Sequence, residues 1–418
     1  MGLKSSWNRR GFLGTVVAML SSTLAPGKLF ASASKASTNA TVSGFGQTGN
    51  PYEELGVTTV INCEGTMTTL GGSLLHPELE AVMAMAGRHF VSIPDLEVAA
   101  GKRIAEMLKL PDGYFALVTS GAAAAMQSGL AGILTGENEA LIRQLPDLTG
   151  MKSEVIIQKS HRNAFDHQLR NTGVKLIEIE TRDQLRQAVS DRTAMMHFSN
   201  FANAAGQIKV DEWVRLAKQY NVPCMNDAAA DTPPVSHLWD YAQLGYDLIT
   251  FSGGKAIRGP QCAGLLIGRR DLVSYALLNN SPHEDTLGRS QKVGKEEIIG
   301  MVKALELYLN EDHDRLAQQW QSRLEGISRE LTKVPGVTTE FFTPDIANHV
   351  PHMHISWDSR VNLEPKQVSK LLRDSKPSIV IGGGEGRPGL SMCSFMLQPG
   401  EDKIVAQLLS RILREHSA

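Results

Sequence analysis

From residue 113 to residue 267, short apolar runs alternate with stretches of helical period, and no other feature constrains this chain so strongly. Residues 114–119 are strand-like, and 122–134 form an alanine-rich helical run. Residues 155–158 and 176–179 read as strands, 182–189 as a helix, and 194–198 as a strand again. Asp211 is expected to cap a helix through Tyr220, with Trp213, Leu216 and Ala217 on one face. Runs at 222–225, 248–251 and 263–267 complete the strand set. Strands separated by helices need crossovers to reach their neighbours, so the pattern predicts an α/β domain with a mostly parallel sheet. Beyond about residue 295 a long helix (295–309) leads into helix, strand and helix segments of a smaller α+β C-terminal domain. A length of 418 residues suits two domains and a tail.

In open α/β sheets, ligands sit beyond the carboxyl ends of the strands. Four segments directly follow predicted strands and so converge there: Ser120-Gly121, His161, Asp227 and Ser252–Lys255. Lys255 stands in the glycine-rich turn Ser252-Gly253-Gly254-Lys255, where short side chains let a ligand approach the backbone. Burial lowers an amine's pKa and favours imine formation near neutrality. Asp227 ends a strand 28 residues earlier and is a carboxylate suited to a protonated ring nitrogen. Ser120, Gly121 and Ala122 open the alanine-rich helix, where free N–H groups suit a phosphate. Ser252 adds a hydroxyl from the lysine's own turn, and His161 is the candidate to stack on a ring. An amine, a ring-nitrogen carboxylate, a phosphate cup and a stacking group are what pyridoxal 5'-phosphate (PLP) asks of a protein. On this reading Lys255, Asp227 and His161 are catalytic, and Ser120, Gly121, Ala122 and Ser252 complete the cofactor site.

The segment 249–268 resembles the lysine region of the selenocysteine synthase (L-seryl-tRNA selenium transferase) family, in the branch that includes an amino-sugar-acid ammonia-lyase. The similarity extends to Ile61-Asn62-Cys63-Glu64-Gly65-Thr66, Leu96-Glu97, Val118-Thr119-Ser120-Gly121-Ala122, His161-Arg162-Asn163, Asp227-Ala228-Ala229 and Gly288-Arg289-Ser290-Gln291-Lys292. It implies a fold-type I PLP-dependent transferase fold with Lys255 as the Schiff-base lysine. It also implies a homodimer or larger assembly with sites at subunit interfaces. Asn62, Arg258, Arg289 and Lys292 are then expected near a small amino substrate. The proximity favours α,β-elimination from an amino acid or amino sugar acid, with racemisation and transamination open. A non-catalytic PLP-fold protein is the reading of another class, disfavoured by the presence of both Lys255 and Asp227.

Other functions fit less well. Net charge is −2 with no long basic run, so nucleic acid is not an expected partner. Cys63, Cys224, Cys262 and Cys393 lie far apart with no Cys/His cluster, so no metal is expected and the thiols read as buried or idle. Ser252-x-x-Lys255 also matches a motif of penicillin-recognising serine enzymes, but the companion K-T-G is missing.

At the N-terminus, Asn8-Arg9-Arg10-Gly11-Phe12-Leu13 precedes an apolar run to about Leu24 and then Ala31-Ser32-Ala33 and Ala36. This resembles a twin-arginine signal peptide over residues 1–36, and it predicts the twin-arginine export machinery as a partner and a periplasmic location. The apolar run of about 14 residues falls short of the ~20 that span a bilayer. Residues 37–50 read as a linker, and 51–90 as an N-terminal segment packing on the small domain. The large PLP-binding domain is expected over 91–294 and the small one over 295–418.

Overall fold

The computed structural model describes residues 46, 49–345, 347–384 and 386–417, so the expected signal peptide and nearly all of the linker lie outside the described residues. The described residues up to Thr58 form a unit of their own, in which Asn50 caps a short helix, Pro51–Glu54, by accepting from the Tyr52 N–H at 3.0 Å. All that follows belongs to Thr59–Ala418.

The strands in chain order are β1 (Val60–Asn62), β2 (Tyr114–Thr119), β3 (Glu154–Gln158), β4 (Lys175–Ile179), β5 (Thr193–Ser199), β6 (Cys224–Asp227), β7 (Leu248–Ser252) and β8 (Gly264–Arg269). They continue as β9 (Val337–Phe342), β10 (His352–Trp357), β11 (Ser378–Val380), β12 (Gly382–Gly383) and β13 (Leu390–Cys393). A seven-stranded sheet has the order β2-β8-β7-β6-β5-β3-β4. From β7 to β4 every pairing is parallel, whereas β8 runs antiparallel to both its neighbours. The chain between β7 and β8 contains no helix, so it folds straight back and forms an antiparallel pair. β3 and β5 are buried along their whole length, as parallel strands covered on both faces should be.

Helix Ala122–Thr135 packs on this sheet and on helix Arg270–Leu278. Its small residues allow that approach: a Cβ on Gly132 would meet the Ala276 nitrogen at 2.6 Å. Helix Val210–Gln219 starts earlier than expected. Lys209 occupies the cap position and Asp211 lies in the first turn, where its charge faces the positive end of the helix dipole. Trp213, Val214 and Ala217 form its buried face; Leu216 only packs against the edge of that core.

A second core, with Ile61, Leu331, Met353, Ile355, Val368 and Leu409 among its members, is built on the antiparallel order β12-β13-β10-β9 and the parallel pair β1-β11. Helices His313–Leu331, Pro365–Arg373 and Glu401–Glu415 contribute to it. The two cores divide the chain differently from the sequence reading. Of residues 51–90, β1 joins the second core, but helix Pro77–Ala86 buries Leu79 in the first, against helix Lys295–Asn310. That long helix also belongs to the first core, through Ile298, Met301, Ala304 and Leu305. Its apolar stripe was legible; which of two cores it faces is a property of the assembled chain.

Candidate active site

Strand register sets the site. Thr119, Gly264 and Ser252 are consecutive partners across β2, β8 and β7, and Asp227, the last residue of β6, is opposite Thr250 of β7. The helix start at Gly121 lies directly over Gly264: a Cβ there would meet the Gly121 carbonyl carbon at 2.6 Å and the Ala122 nitrogen at 2.7 Å. Gly121, with φ 91°, then turns the chain into the helix. Beyond this edge is a cavity of about 480 Å³ lined by Lys255, Asp227, Asp231, Ser252, Gly121 and Ala122, with Thr66, Thr68, Phe165, Phe201, Gln261 and Asn348 around them.

Two carboxyls and one amine dominate its electrostatics. Asp227 is 6% exposed and its Oδ1 accepts from the Ala229 N–H at 3.2 Å and the Thr250 hydroxyl at 3.4 Å. Burial raises its pKa, while those bonds and the Lys255 charge pull it back. Burial lowers the pKa of Lys255, against the attraction of Asp227 and Asp231. Asp231 is 2% exposed and is pushed up to about 7, first by burial and also by the Asp227 charge. Its Oδ2 accepts from the Asn200 amide and from the Tyr241 hydroxyl, the latter at 3.3 Å. Asn200 also donates to the Tyr241 oxygen at 2.6 Å.

The structure thus brings Lys255, Asp227, Ser252, Gly121 and Ala122 together in one cavity, and it separates the other expected residues from it. Ser120 is half-buried and does not line the cavity. His161 is fully buried, its ring edge-on to Phe198 at 4.5 Å, and its nitrogens face the Ser199 N–H at 3.3 Å and the Gln158 amide at 3.1 Å. Burial depresses its pKa to about 4, with Lys209 adding to the effect. It is a core residue here, and the aromatic groups on the cavity wall are Phe165 and Phe201. Asn163 caps the turn carrying Phe165, its Oδ1 accepting from the Phe165 N–H at 2.7 Å.

Asn62 is consumed by its own turn: its Oδ1 accepts from the N–H groups of Glu64 and Gly65, and its amide donates to the Gly65 carbonyl at 2.7 Å. Arg258 turns to a different cavity, beside Glu311 and Trp320, and donates to the carbonyls of Leu74 at 2.9 Å and Leu75 at 3.2 Å. Arg289 is 3.5 Å from the Ser281 hydroxyl and Lys292 is exposed; neither lines the Lys255 cavity. Cys63, Cys224 and Cys393 are buried and Cys262 is exposed.

Sequence reasoning missed Asp231, although it stands four residues after Asp227 in the same post-strand segment. Thr66 and Gln261 lie in segments that carry the family resemblance but were given no role, and Asn348 carried no local signal. Gln261, with its amide turned so that the nitrogen faces them, donates to the carbonyls of Gly71 at 3.1 Å and Gly254 at 3.2 Å and so braces the lysine turn.

The family model for aminotransferase class V matches residues 97–384. This chain belongs to the class-V aminotransferase family. It is 30% identical over 388 residues to D-glucosaminate-6-phosphate ammonia lyase of Salmonella typhimurium, covering 89% of this chain and all of the relative. It is 26% identical to 5'-C-glycyluridine monooxygenase-decarboxylase of a Streptomyces species, over 87% of this chain and 92% of that protein. An L-seryl-tRNA(Sec) selenium transferase of Mannheimia succiniciproducens is 27% identical over 62% of this chain and 57% of its own length. The solved structure of D-glucosaminate-6-phosphate ammonia-lyase superposes with a TM-score of 0.76, at 24% identity over 88% of this chain and 99% of that one, which establishes the common fold. The fold is therefore fold-type I, and this class-V chain is a PLP-dependent enzyme. Its cavity fits that cofactor: a half-buried amine, a buried carboxylate at a strand end, and the start of a long helix all line one space.

Proposed function

We propose that this enzyme is a PLP-dependent lyase that eliminates a β-substituent from an amino acid or amino sugar acid and releases ammonia. The observation that carries the reading is a second buried carboxyl, Asp231, in the cavity that already holds Lys255 and Asp227. Overall, elimination breaks the Cα–H and Cβ–leaving-group bonds, and hydrolysis of the released enamine gives a 2-keto acid and ammonia. The relative that acts as an ammonia lyase supports this class of reaction. The Streptomyces relative, named for an oxygenase-decarboxylase, explains why the family alone leaves the reaction open.

When bound, PLP supplies a carbonyl for amine attachment and a ring that withdraws electrons from Cα. Lys255 would hold the cofactor covalently and, once displaced by substrate, take the Cα proton with an amine whose pKa burial has lowered. Asp227 would keep a proton on the ring nitrogen, Gly121, Ala122 and Ser252 would receive the phosphate, and Phe165 and Phe201 would cover the ring faces. Asp231, with a pKa of about 7, would hold a proton at its carboxyl for the departing group. A screen of amino acids and amino sugar acids for keto acid and ammonia tests the reading. Turnover to the opposite enantiomer, or ammonia-free transamination, would replace it.

We further propose twin-arginine export to the periplasm and assembly as a homodimer. Arg9-Arg10 and the apolar run behind them support export. Replacing both with lysine should hold full-length precursor in the cytoplasm. Met85, Phe90, Val91 and Val98, exposed by 64%, 103%, 49% and 52%, support self-association through this stretch. Phe90→Asp should then lower the mass measured by light scattering to that of one chain.

A further inference from the structure

A second cavity of about 510 Å³ lies beside the Lys255 cavity, and Asn348 lines both. Its polar wall comes from Glu64, His352, Ser391 and the backbone of Gly382, Gly383 and Gly384. Asn348 is held in place: its N–H donates to the Ala230 carbonyl at 2.8 Å, three residues from Asp227, and its backbone sits at φ 49°. Its Oδ1 accepts from the Thr66 hydroxyl at 3.2 Å, so its amide hydrogens are the groups left to meet a ligand. The Nδ1 of His352 lies 2.8 Å from the Val350 carbonyl and carries a hydrogen toward it, so that in the neutral ring Nε2 is the acceptor. Glu64 contributes a carboxyl group to the same wall. Among the described residues, Lys255 is the one lysine or arginine that lines either cavity.

We propose that this outer cavity receives the tail of the substrate, and that the tail is a hydroxylated, unphosphorylated carbon chain, making the substrate class 2-amino-2-deoxy sugar acids. The proposal rests on the elimination reading above. Hydroxyl groups both donate and accept, so they satisfy Glu64 and His352 Nε2 as donors and the Asn348 amide as acceptors. A phosphate dianion offers acceptors alone; it would face the Glu64 carboxylate and the His352 ring nitrogen, with no lysine or arginine among the described lining residues of this chain to offset its desolvation. The name of the Salmonella relative carries a 6-phosphate, and the described residues of this cavity include no lysine or arginine side chain to select one. In such a substrate C2 bears the amine at Lys255, the C3 hydroxyl is the leaving group beside Asp231, and C4 outward runs past Asn348. The C2–H and C3–O bonds break, the hydroxyl leaves with a proton as water, and hydrolysis at C2 returns that water and frees ammonia. The product is a 2-keto-3-deoxy acid, and no oxidant or reductant enters.

The test uses the PLP-loaded full chain with three probes: 2-amino-2-deoxy-D-gluconate, its 6-phosphate, and serine. Binding is read from the change in the cofactor's visible absorbance on titration, and turnover from ammonia release. The sugar acid should exceed both the others in kcat/KM by at least about tenfold. Two variants address the cavity itself. Glu64→Gln removes the acceptor charge, and Gly383→Val fills the space, since a Cβ at Gly383 has no atom within 4 Å. Each should lower the ratio of sugar-acid to serine kcat/KM by about tenfold. A preference for the 6-phosphate, or ratios unmoved in both variants, overturns the tail site. If no probe releases ammonia but titration keeps the same order of binding, the elimination reading fails and the tail site stands.

Discussion

Lys255 and Arg258 stand three residues apart in one turn and meet opposite surroundings. Lys255 faces a cavity with two buried carboxyls, while Arg258 points into another space and ties down the Leu74 and Leu75 carbonyls. The backbone between them turns, with Arg258 in the left-handed region at φ 55°. One basic residue is therefore placed for chemistry and its neighbour for holding the turn. The contrast teaches that the charge of a residue near a site says little until the backbone direction is known.

The largest effect is expected on the lysine side. Lys255→Ala should abolish borohydride-fixable attachment of PLP and lower turnover by about a thousandfold or more, with the fold retained by circular dichroism. Attachment at wild-type level would move the anchor to another lysine and dissolve the contrast.

Asp227→Asn keeps shape and removes charge. Turnover with saturating PLP should fall by about a hundred- to thousandfold, mostly in kcat, because the charge matters more in the transition state than in the bound substrate. A variant within threefold of wild type would reduce Asp227 to a strand-end residue.

Asp231→Asn sharpens the picture through pH. Its folded carboxyl keeps its proton up to about pH 7, whereas an unfolded aspartate releases it near ~3.9. Between those values the folded state binds the extra proton, so this contribution to stability is full below about pH 4 and is lost as pH rises through 7. Melting temperatures of the cofactor-free protein should therefore fall less steeply between pH 5 and 8 in the variant. Glu97, pushed up to about 8 by burial, and Asp227 keep part of the slope. If Asp231 supplies a proton, wild-type kcat declines above about pH 7, and the variant loses that limb along with about tenfold or more of its rate.

The smallest effect belongs to Arg258. Arg258→Met should lower unfolding free energy by about 1–2 kcal/mol through the two lost carbonyl bonds, with turnover within threefold. A turnover loss matching that of Asp227→Asn would place Arg258 with the chemistry after all.

Much of the sheet was legible because each strand is a buried apolar run between helical stretches. β2 matches its expected limits, and β5 and β7 each gain a residue or two at the ends. The convergence of Gly121, Asp227, Ser252 and Lys255 was legible for a related reason: in parallel topology, residues just after strands share one edge. Asp231 escaped because its burial and its hydrogen bonds depend on Asn200 and Tyr241, Asn200 being distant in sequence. His161 was misjudged because the step after β3 directs its ring into the core against Phe198 and presents Phe165 to the cavity instead.

By itself, the sequence determined the order of elements, the α/β class, and the lysine and aspartate that meet in one cavity, since these follow from hydrophobic period and from residues adjoining strand ends. Only the tertiary structure decided the reversed direction of β8, the core that helix Lys295–Asn310 serves, and which side chains reach the cavity. These depend on backbone direction at single turns and on contacts between residues far apart in the chain. A local pattern carries neither.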